Sequence, residues 1–200
     1  MIRFRASRRR TVDPAVTSPA MDDVTIEPID LARRAEEALA VQALAFGLTD
    51  EEIAIRLQIV LRHAGYPGVI ALGAVRGPDL IGFGYGMPND RSHWWSTVIQ
   101  PYLEATGADH WLDGSFAVTE LHVRPASQGR GLGRALITEL CRRSMLPRTI
   151  LSAVDAETPA RRLYRSLGYM DLARQVMFPN TDRPYAVMGA VLPFRPPKHR

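Results

Sequence analysis

The amino-acid sequence predicts a single globular domain of the α/β or α+β class, built on a mixed β-sheet. The 200-residue chain interleaves strand-like and helix-like segments in the order β-α-α-β-β-β-α-β-α-β-β, which is typical of that class. Its composition, with 46% hydrophobic and 23% charged residues, is ordinary for one domain of this length. Disordered and collagen-like chains are thereby excluded. A disulfide framework is excluded because Cys141 is the single cysteine, and a packing role is expected for it.

Hydrophobic periodicity places each element along the chain. Helices are predicted where apolar residues recur at spacings of three and four, and strands where short apolar runs lie between turn residues. The expected elements, in order, are a strand at 24–29, helices at 30–46 and 49–65, strands at 69–76 and 80–87, an insertion at 88–114 that is partly helical near 92–105, a strand at 115–123, a helix at 132–144, a strand at 149–156, a helix at 159–167, and strands at 171–178 and 184–192.

Capping residues fix several of these boundaries. Asp30 is expected to cap the first helix and Gly47 to end it. Thr49 and Glu52 have the spacing of a capping box at the start of the second helix. Thr158 followed by proline is a favourable start for the helix at 159–167. In the strand at 80–87, glycine occupies every second position, which indicates that another backbone or a ligand lies close to that face.

Positive charge is concentrated at the two ends of the chain. Residues 1–12 carry five arginines and no acid, and residues 195–200 carry three basic residues. We therefore expect a flexible basic arm at 1–21, one domain at 22–194 and a basic tail at 195–200. An alternative for the arm is that translation begins at Met21. Only the arm suggests nucleic-acid binding, and the remainder of the chain is mildly acidic, so a nucleic-acid partner is not expected.

A cytoplasmic location is expected from three features of the sequence. The basic arm precedes no apolar segment of the kind that a secretory signal needs. Apolar runs stay well below the ~20 residues of a membrane span, so a membrane partner is not expected. The single cysteine is consistent with a reducing compartment.

The segment 128–134, Gln-Gly-Arg-Gly-Leu-Gly-Arg, lies between a predicted strand and a predicted helix. Its glycines allow close approach of the backbone to a ligand, and the N–H groups and dipole of the helix favour an anion there. Together with Arg130 and Arg134, they predict a phosphate or pyrophosphate cradle. A P-loop is excluded because Lys198 is the only lysine, and the glycine spacing does not match a dinucleotide-binding fingerprint. The alternative is a glycine-rich turn without a ligand.

Residues 121–136, LHVRPASQGRGLGRAL, resemble the acyl-CoA-binding motif of the GCN5-related N-acetyltransferase (GNAT) family. The motif core, Gln/Arg-x-x-Gly-x-Gly/Ala, is matched by Gln128, Gly131 and Gly133. A second family block, A-x-x-L-Y-x-x-L-G-[FY], is matched by residues 160–169. The resemblance extends over about 24–192 in element order and is strong in residue detail over about 115–170. It implies the GNAT fold, in which a mixed, mostly antiparallel central sheet is flanked by helices.

The resemblance also implies an activity and a set of binding residues. It implies transfer of acetyl from acetyl-CoA directly to a primary amine, without a metal, and a small-molecule acceptor is favoured over a protein. A non-catalytic acyl-CoA-binding sensor of the same fold is the alternative. Because many family members dimerise, a homodimer is also expected. The residues expected to bind acetyl-CoA are Leu121, His122, Val123, Gln128, Gly129, Arg130, Gly131, Leu132, Gly133, Arg134, Ala160 and Tyr164.

The catalytic residues implied by the resemblance are Tyr164 and Glu120. Tyr164 matches the family's usual acid for the CoA sulfur, but it could also be an ordinary core tyrosine. Glu120 is the candidate base, and an ion pair or a substrate contact is its alternative. Strict strand alternation places Glu120 and His122 on the face opposite Ala117, although a bulge, which is usual in this family strand, would change that. Neither Ala117 nor Ser152, at the positions of known family bases, repeats the family pattern, and His122 is a weaker candidate.

The insertion at 88–114 is expected to border the acceptor pocket. It contains all three tryptophans of the chain, together with Tyr102, His93 and His110. These rings are suited to a hydrophobic or cation-binding pocket. The alternative is that they pack the insertion onto the sheet or form a dimer contact.

Overall fold

The computed structural model describes residues 23–179 and 181–194, which form seven strands and five α-helices. The strands are β1 (Thr25–Pro28), β2 (Ile70–Arg76), β3 (Asp79–Pro88), β4 (Ser115–Val123), β5 (Arg148–Val154), β6 (Met170–Val176) and β7 (Tyr185–Val191). The helices are α1 (Ala35–Phe46), α2 (Asp50–Ala64), α3 (Trp94–Ala105), α4 (Leu132–Arg143) and α5 (Pro159–Ser166). The predictions for residues 1–21, for a start at Met21 and for residues 195–200 lie outside the described residues.

The element order predicted from the sequence is confirmed. The capping box of Thr49 and Glu52 is present, and Gly47 ends α1 with a positive φ of 68°. The predicted start of α1 is wrong by about four residues. The side chain of Asp30 accepts a hydrogen bond from the backbone N–H of Arg33 at 3.1 Å, and this bond closes a turn. The regular helix begins only at Ala35.

All seven strands form one sheet in the order β1-β2-β3-β4-β5-β7-β6. Every neighbouring pair is antiparallel except β4 and β5, so the predicted mixed, mostly antiparallel sheet is confirmed. The parallel pairing between β4 and β5 extends only from Ser115 and Arg148 to Ala117 and Ile150. Beyond those residues the two central strands do not pair with each other, which leaves the middle of the sheet open.

A β-bulge in β4 determines which of its side chains face which helices. Gly86 pairs with Val118 and Tyr85 pairs with Glu120, so Thr119 is an extra residue without a cross-strand partner in β3. Because cross-strand partners share a face, Glu120 lies on the same face as Tyr85, and Ala117 on the same face as Met87. Tyr85 and Met87 are two residues apart in β3 and share a face, so Glu120 and Ala117 do as well. The prediction from strict alternation, that Glu120 and Ala117 lie on opposite faces, is therefore wrong, because the bulge adds one residue between them.

Helices cover both faces of the sheet. Helices α1 and α2 cover β2 and β3 around Leu39 and Phe83, and α3 packs beside them over β5 to β7. Helices α4 and α5 cover the opposite face around Leu136 and Leu151. In the described residues no helix is long and apolar enough to cross a membrane.

The glycines of β3 are required by the packing of the protein itself. A Cβ at Gly84 would lie 2.9 Å from Leu121 Cδ1 and 3.0 Å from Leu140 Cδ1, and one at Gly86 would lie 2.5 Å from the carbonyl oxygen of Ala117. Such distances exclude a side chain without movement of the neighbours. The sequence left open whether another part of the protein or a ligand lies close to this face of β3. The close neighbours are residues of β4 and α4.

Candidate active site

The gap between β4 and β5 opens into two cavities that meet inside the sheet. One cavity, about 500 Å³ in volume, is lined mainly by residues of α2, α3 and β4, and we call it the α2–α3 cavity. The other, about 410 Å³, is lined mainly by α1, α5 and the parts of β4 and β5 that do not pair with each other, and we call it the α5 cavity. Four residues line both: Val118, Thr119, Glu120 and Ser152. A group bound in one cavity can therefore reach a group bound in the other.

Glu120 is held at this junction by three polar neighbours. Its Oε2 accepts a hydrogen bond from Nε2 of Gln42 on α1 at 3.1 Å. The same oxygen is hydrogen-bonded to Nε2 of His122 at 2.5 Å. The guanidinium of Arg56 on α2 lies 3.9 Å from the other oxygen. The carboxylate is thus fixed in position and remains 23% exposed toward the cavities.

These neighbours also determine the charge of Glu120. Burial raises the pKa of a carboxyl group, because it removes water from the charged form. The hydrogen bond and charge of His122, the charge of Arg56 and the hydrogen bond of Gln42 outweigh burial and hold the pKa of Glu120 below its usual value. The group is therefore a carboxylate at neutral pH.

Tyr164 reaches the same region from α5. It is 8% exposed and lies in the main core cluster, and it also lines the α5 cavity. Its ring centroid lies 5.6 Å from that of Tyr169. Burial and the negative charge of Glu120 raise the pKa of Tyr164 to about 12. The phenol is therefore protonated at neutral pH and can donate a proton.

The residues predicted to bind acetyl-CoA fall into two groups. Four of them line the α5 cavity: Leu121, His122, Ala160 and Tyr164. Val123 and residues 128–134 do not line either of the two cavities. Glu120 lies in both cavities.

The backbone at 128–131 has the conformation that its glycines allow. Gly129 and Gly131 have φ of 74° and 84°, which residues with a side chain rarely adopt. A Cβ at either position would meet nothing within 4 Å, so the space beside this backbone is open. Gly131 is the N-cap of α4 and supplies no side chain to its first N–H groups. Those N–H groups are therefore left to face a ligand or water.

Other side chains of this segment hold the loop in place. Gln128 donates from Nε2 to the carbonyl oxygen of Val123 at 3.0 Å, which ties the loop to the end of β4. Leu132 is 5% exposed and anchors α4 in the core. Arg134 donates to Oγ of Ser166 at 2.5 Å, which links α4 to α5. These contacts support the shape of the loop, whereas the glycines leave its surface open.

Aromatic rings line the α2–α3 cavity. Tyr66 and His93 stack with centroids 4.9 Å apart, and the indole N–H of Trp95 donates to Oγ of Ser152 at 3.3 Å. His63 is hydrogen-bonded through Nδ1 to the hydroxyl of Tyr85 at 3.0 Å, and burial lowers the pKa of His63. These rings come from α2, α3 and the segments before α3 and after α2, which the fold brings together at one opening.

The six aromatic residues of the insertion therefore divide between the two alternatives left open by the sequence. His93, Trp94 and Trp95 line the cavity. Trp111 is 7% exposed and packs over Gly189, where a Cβ would lie 2.7 Å from the indole ring. Tyr102 packs against the same cluster, and its hydroxyl accepts a hydrogen bond from the backbone N–H of Met177 at 3.3 Å. Neither His110 nor these two residues line the two cavities.

A buried ion network that the sequence analysis missed holds α5 in place. Arg161 on α5 is fully buried and donates to Asp155 at 2.7 Å and to Asp171 on β6 at 2.5 Å. Arg174 also pairs with Asp155 at 2.8 Å. Burial raises the pKa of Asp155, but the hydrogen bonds from Arg174 and Gln175 outweigh it and hold the pKa below 3.8. Arg161 thereby ties the helix that carries Tyr164 to β6 and to the segment after β5, and the sequence offers no motif that indicates it.

Cys141 is buried on α4, within 3.7 Å of Oγ1 of Thr149, and burial raises the pKa of its thiol to about 11. It is therefore a packing residue, as the sequence predicts. Within the described ranges, His, Cys, Asp and Glu side chains form no group of three or more that could hold a metal ion.

The acetyltransferase (GNAT) domain family matches residues 75–171, from β2 to β6. This match, the curated relatives and the solved structures all support a member of the GNAT family. A GCN5-like protein acetyltransferase from Mycobacterium tuberculosis is 28% identical over 200 residues, which cover 85% of this chain and 97% of the relative. A mycothiol acetyltransferase from Thermobispora bispora is 30% identical over 188 residues, which cover 89% of this chain. The chain spans only 58% of the length of that second relative.

Solved structures share the GNAT fold with this protein. A putative acetyltransferase of the GNAT family from Desulfovibrio desulfuricans superposes with a TM-score of 0.62 at 19% identity, over 84% of this chain and 98% of that chain. Arabidopsis thaliana NAA60, solved in complex with acetyl-CoA, superposes with a TM-score of 0.56 at 19% identity, over 84% of this chain and 98% of that chain. At this level of identity the likeness establishes the fold, so the mixed sheet flanked by helices is the GNAT architecture.

Proposed function

We propose that this protein transfers the acetyl group of acetyl-CoA to the primary amine of a small-molecule acceptor. The observation that carries the proposal is the junction at Glu120 and Ser152, where two cavities entering the domain meet. A reaction between two substrates requires such a meeting point, because the reacting atoms must be held in contact. Membership of the GNAT family supports the reaction class, and the acetyl-CoA complex of the Arabidopsis structure supports the donor.

In this proposal the donor occupies the α5 cavity. Pairing between β4 and β5 ends at Ala117, which leaves backbone groups along this edge of residues 118–123 for the amides of pantetheine. The open backbone at Gly129 and Gly131, followed by the N-terminus of α4, is suited to the pyrophosphate. The thioester would then lie near Tyr164, which lines the same cavity.

The acceptor enters through the α2–α3 cavity. Its amine nitrogen attacks the thioester carbonyl carbon, the bond between that carbon and sulfur breaks, and an N–H proton passes to the carboxylate of Glu120. Tyr164 donates its phenolic proton to the departing sulfur. The low pKa of Glu120 keeps it anionic, so it also attracts the ammonium form of the acceptor, which first releases one proton to solvent and so becomes the neutral amine that attacks. The raised pKa of Tyr164 keeps its proton available.

Two measurements test the proposal in sequence. The melting temperature is measured with acetyl-CoA, CoA, ATP and NAD, and thiol release from acetyl-CoA is then followed with DTNB across a panel of amines. A ligand at about 100 times its Kd adds about 2.7 kcal/mol of stability, which raises the melting temperature by several degrees. We expect a shift with the two CoA compounds alone. The absence of such a shift would overturn the proposal, and a shift without thiol release for any amine would instead identify a non-catalytic acyl-CoA-binding module.

A substitution of Glu120 tests its proposed role as the base. Glu120→Gln keeps the size of the side chain and removes its charge and basicity, and we expect kcat/KM to fall by about 10²- to 10⁴-fold. Glu104→Gln on the exposed face of α3 is the matched control, since Glu104 lies outside both cavities and its carboxylate accepts a hydrogen bond from Gln100. Glu120→Gln should retain the melting-temperature shift with acetyl-CoA. An unchanged kcat/KM in Glu120→Gln would exclude Glu120 as the base.

A further inference from the structure

The lining of the α2–α3 cavity is mainly aromatic and aliphatic. Tyr66, His93, Trp94 and Trp95 form one side, and Ile59 and Met87 add aliphatic and thioether surface. The stack of Tyr66 on His93 and the hydrogen bond from Trp95 to Ser152 hold the rings as a fixed wall. A ligand that packs against such a wall is stabilised by burial of its own apolar surface.

Few charged side chains line the α2–α3 cavity. Among the described residues that line it, Glu120 is the one carboxylate and Arg62 is the one arginine. Glu120 lies at the inner end, where it meets the α5 cavity. A polyamine or an aminoglycoside carries several ammonium groups, each of which needs a carboxylate when it leaves water. This cavity supplies one carboxylate, and Arg62 opposes a second cation.

The apolar surface continues outward to the rim of the cavity. Ile59 on α2 is 40% exposed and Trp94 at the start of α3 is 61% exposed, and both line the cavity. Large apolar side chains exposed at the mouth of a cavity are typical of a binding surface rather than of a solvated helix face. The acceptor therefore meets apolar contacts from the rim to the junction, and a single anionic contact at the end.

We propose that the acceptor is a primary amine attached to one apolar group about the size of an aromatic ring, with no second cationic group. This inference rests on the proposed function and assigns the substrate class of the same site. The ammonium group pairs with Glu120, while the apolar group lies against the Tyr66–His93 stack and Trp95. Ile59 and Trp94 determine specificity, because they surround the part of the apolar group farthest from the amine.

The test compares, at saturating acetyl-CoA, amines that differ in the part of the molecule attached to the amino group. Phenylethylamine and tryptamine represent the proposed class, spermidine and kanamycin represent polycations, and a peptide with a free N-terminus and one lysine represents protein acceptors. We expect kcat/KM for the first pair to exceed that for the others by about tenfold or more, the ratio that 1.4 kcal/mol of apolar contact provides. Phenylethanol, which lacks the amine, should inhibit competitively and quench tryptophan fluorescence.

Two glutamate substitutions on α2 provide a matched comparison. Ile59→Glu places a second carboxylate at the rim, whereas Ile55→Glu places one a helical turn away, at a position that is 58% exposed and outside the cavity lining. Because both positions are exposed, both variants should fold. For Ile59→Glu we expect kcat/KM to fall about tenfold for phenylethylamine and to rise for spermidine. For Ile55→Glu both values should stay within about twofold of the parent protein.

The outcomes separate this inference from the proposed function. If spermidine, kanamycin or the peptide is the preferred acceptor, or if Ile59→Glu and Ile55→Glu behave alike, the inferred substrate class is wrong while acetyl transfer stands. If acetyl-CoA raises the melting temperature but phenylethanol neither inhibits nor quenches fluorescence, the inference is also overturned. If CoA compounds produce no melting-temperature shift and no amine releases thiol, the proposed function fails and the inference fails with it.

Discussion

Replacement of Tyr164 by phenylalanine separates its role in the core from its proposed role as an acid. The ring of Tyr164 is 8% exposed and packs beside Tyr169, and Tyr164→Phe retains both the ring and its contacts. We therefore expect the free energy of unfolding to change by no more than about 1 kcal/mol. Loss of a positioned proton donor costs about 10² to 10⁴ in rate, which corresponds to about 2.7 to 5.4 kcal/mol in the activation barrier. The thiol-release assay at saturating substrates measures this loss in kcat.

Tyr169→Phe is the control for that experiment. The hydroxyl of Tyr169 is hydrogen-bonded to Oγ1 of the fully buried Thr149 at 3.0 Å, and Tyr169 does not line either cavity. Its removal should cost about 1 to 3 kcal/mol of stability, because the buried Oγ1 of Thr149 then keeps only the weak contact with the thiol of Cys141, and it should leave kcat unchanged. An equal kcat for Tyr164→Phe and the parent protein, or an equal loss of kcat in both variants, would refute the assignment of Tyr164 as the acid.

Three further predictions concern the fold and its pH dependence. Arg161→Met should lower the free energy of unfolding by about 3 kcal/mol in urea titrations, since Asp155 and Asp171 both lose their buried cationic partner, and an unchanged stability would contradict a structural role for the network. Because the hydrogen bonds from Arg174 and Gln175 hold the folded-state pKa of Asp155 below its usual value, its contribution to stability is complete above about pH 5 and declines as the pH falls further, so melting temperatures measured from pH 6 to pH 3 should decrease less in Arg174→Met than in the parent protein. Gly86→Ala should destabilise the protein by about 2 kcal/mol or more, whereas Gly65→Ala, whose added Cβ would lie 3.5 Å from its nearest neighbour, should be tolerated, and circular dichroism melts would show whether the two differ.

The order of the elements could be predicted because each depends mainly on local signals. The capping box at Thr49 and the cap at Thr158 both form as their spacing predicts. The left-handed conformations of Gly47 and Gly168 end α1 and follow α5 at the predicted positions. Where a local signal was ambiguous, the prediction failed. Asp30 can close a turn as well as cap a helix, and only packing of the following residues decides which occurs.

The candidate site could be predicted in its residue types and only in part in its geometry. The glycine loop and the tyrosine of α5 could be named as candidates because their spacing in the sequence matches the family motifs. The network around Arg161 was missed because its partners, Asp155 and Asp171, are brought to it by strand pairing. The division of the tryptophans between cavity and core likewise depends on how α3 lies over β5 to β7.

The sequence by itself determined the class of the fold, the order of its elements, the glycine loop and the candidacy of Glu120 and Tyr164. These features follow from periodicity, capping and motif spacing, which are properties of neighbouring residues. Only the tertiary structure decided that β7 lies between β5 and β6, that β4 and β5 part after three residue pairs, and that the bulge at Thr119 turns Glu120 toward α1. Strand order and register depend on contacts between residues far apart in the chain, and a shift of one residue exchanges the two faces of a strand.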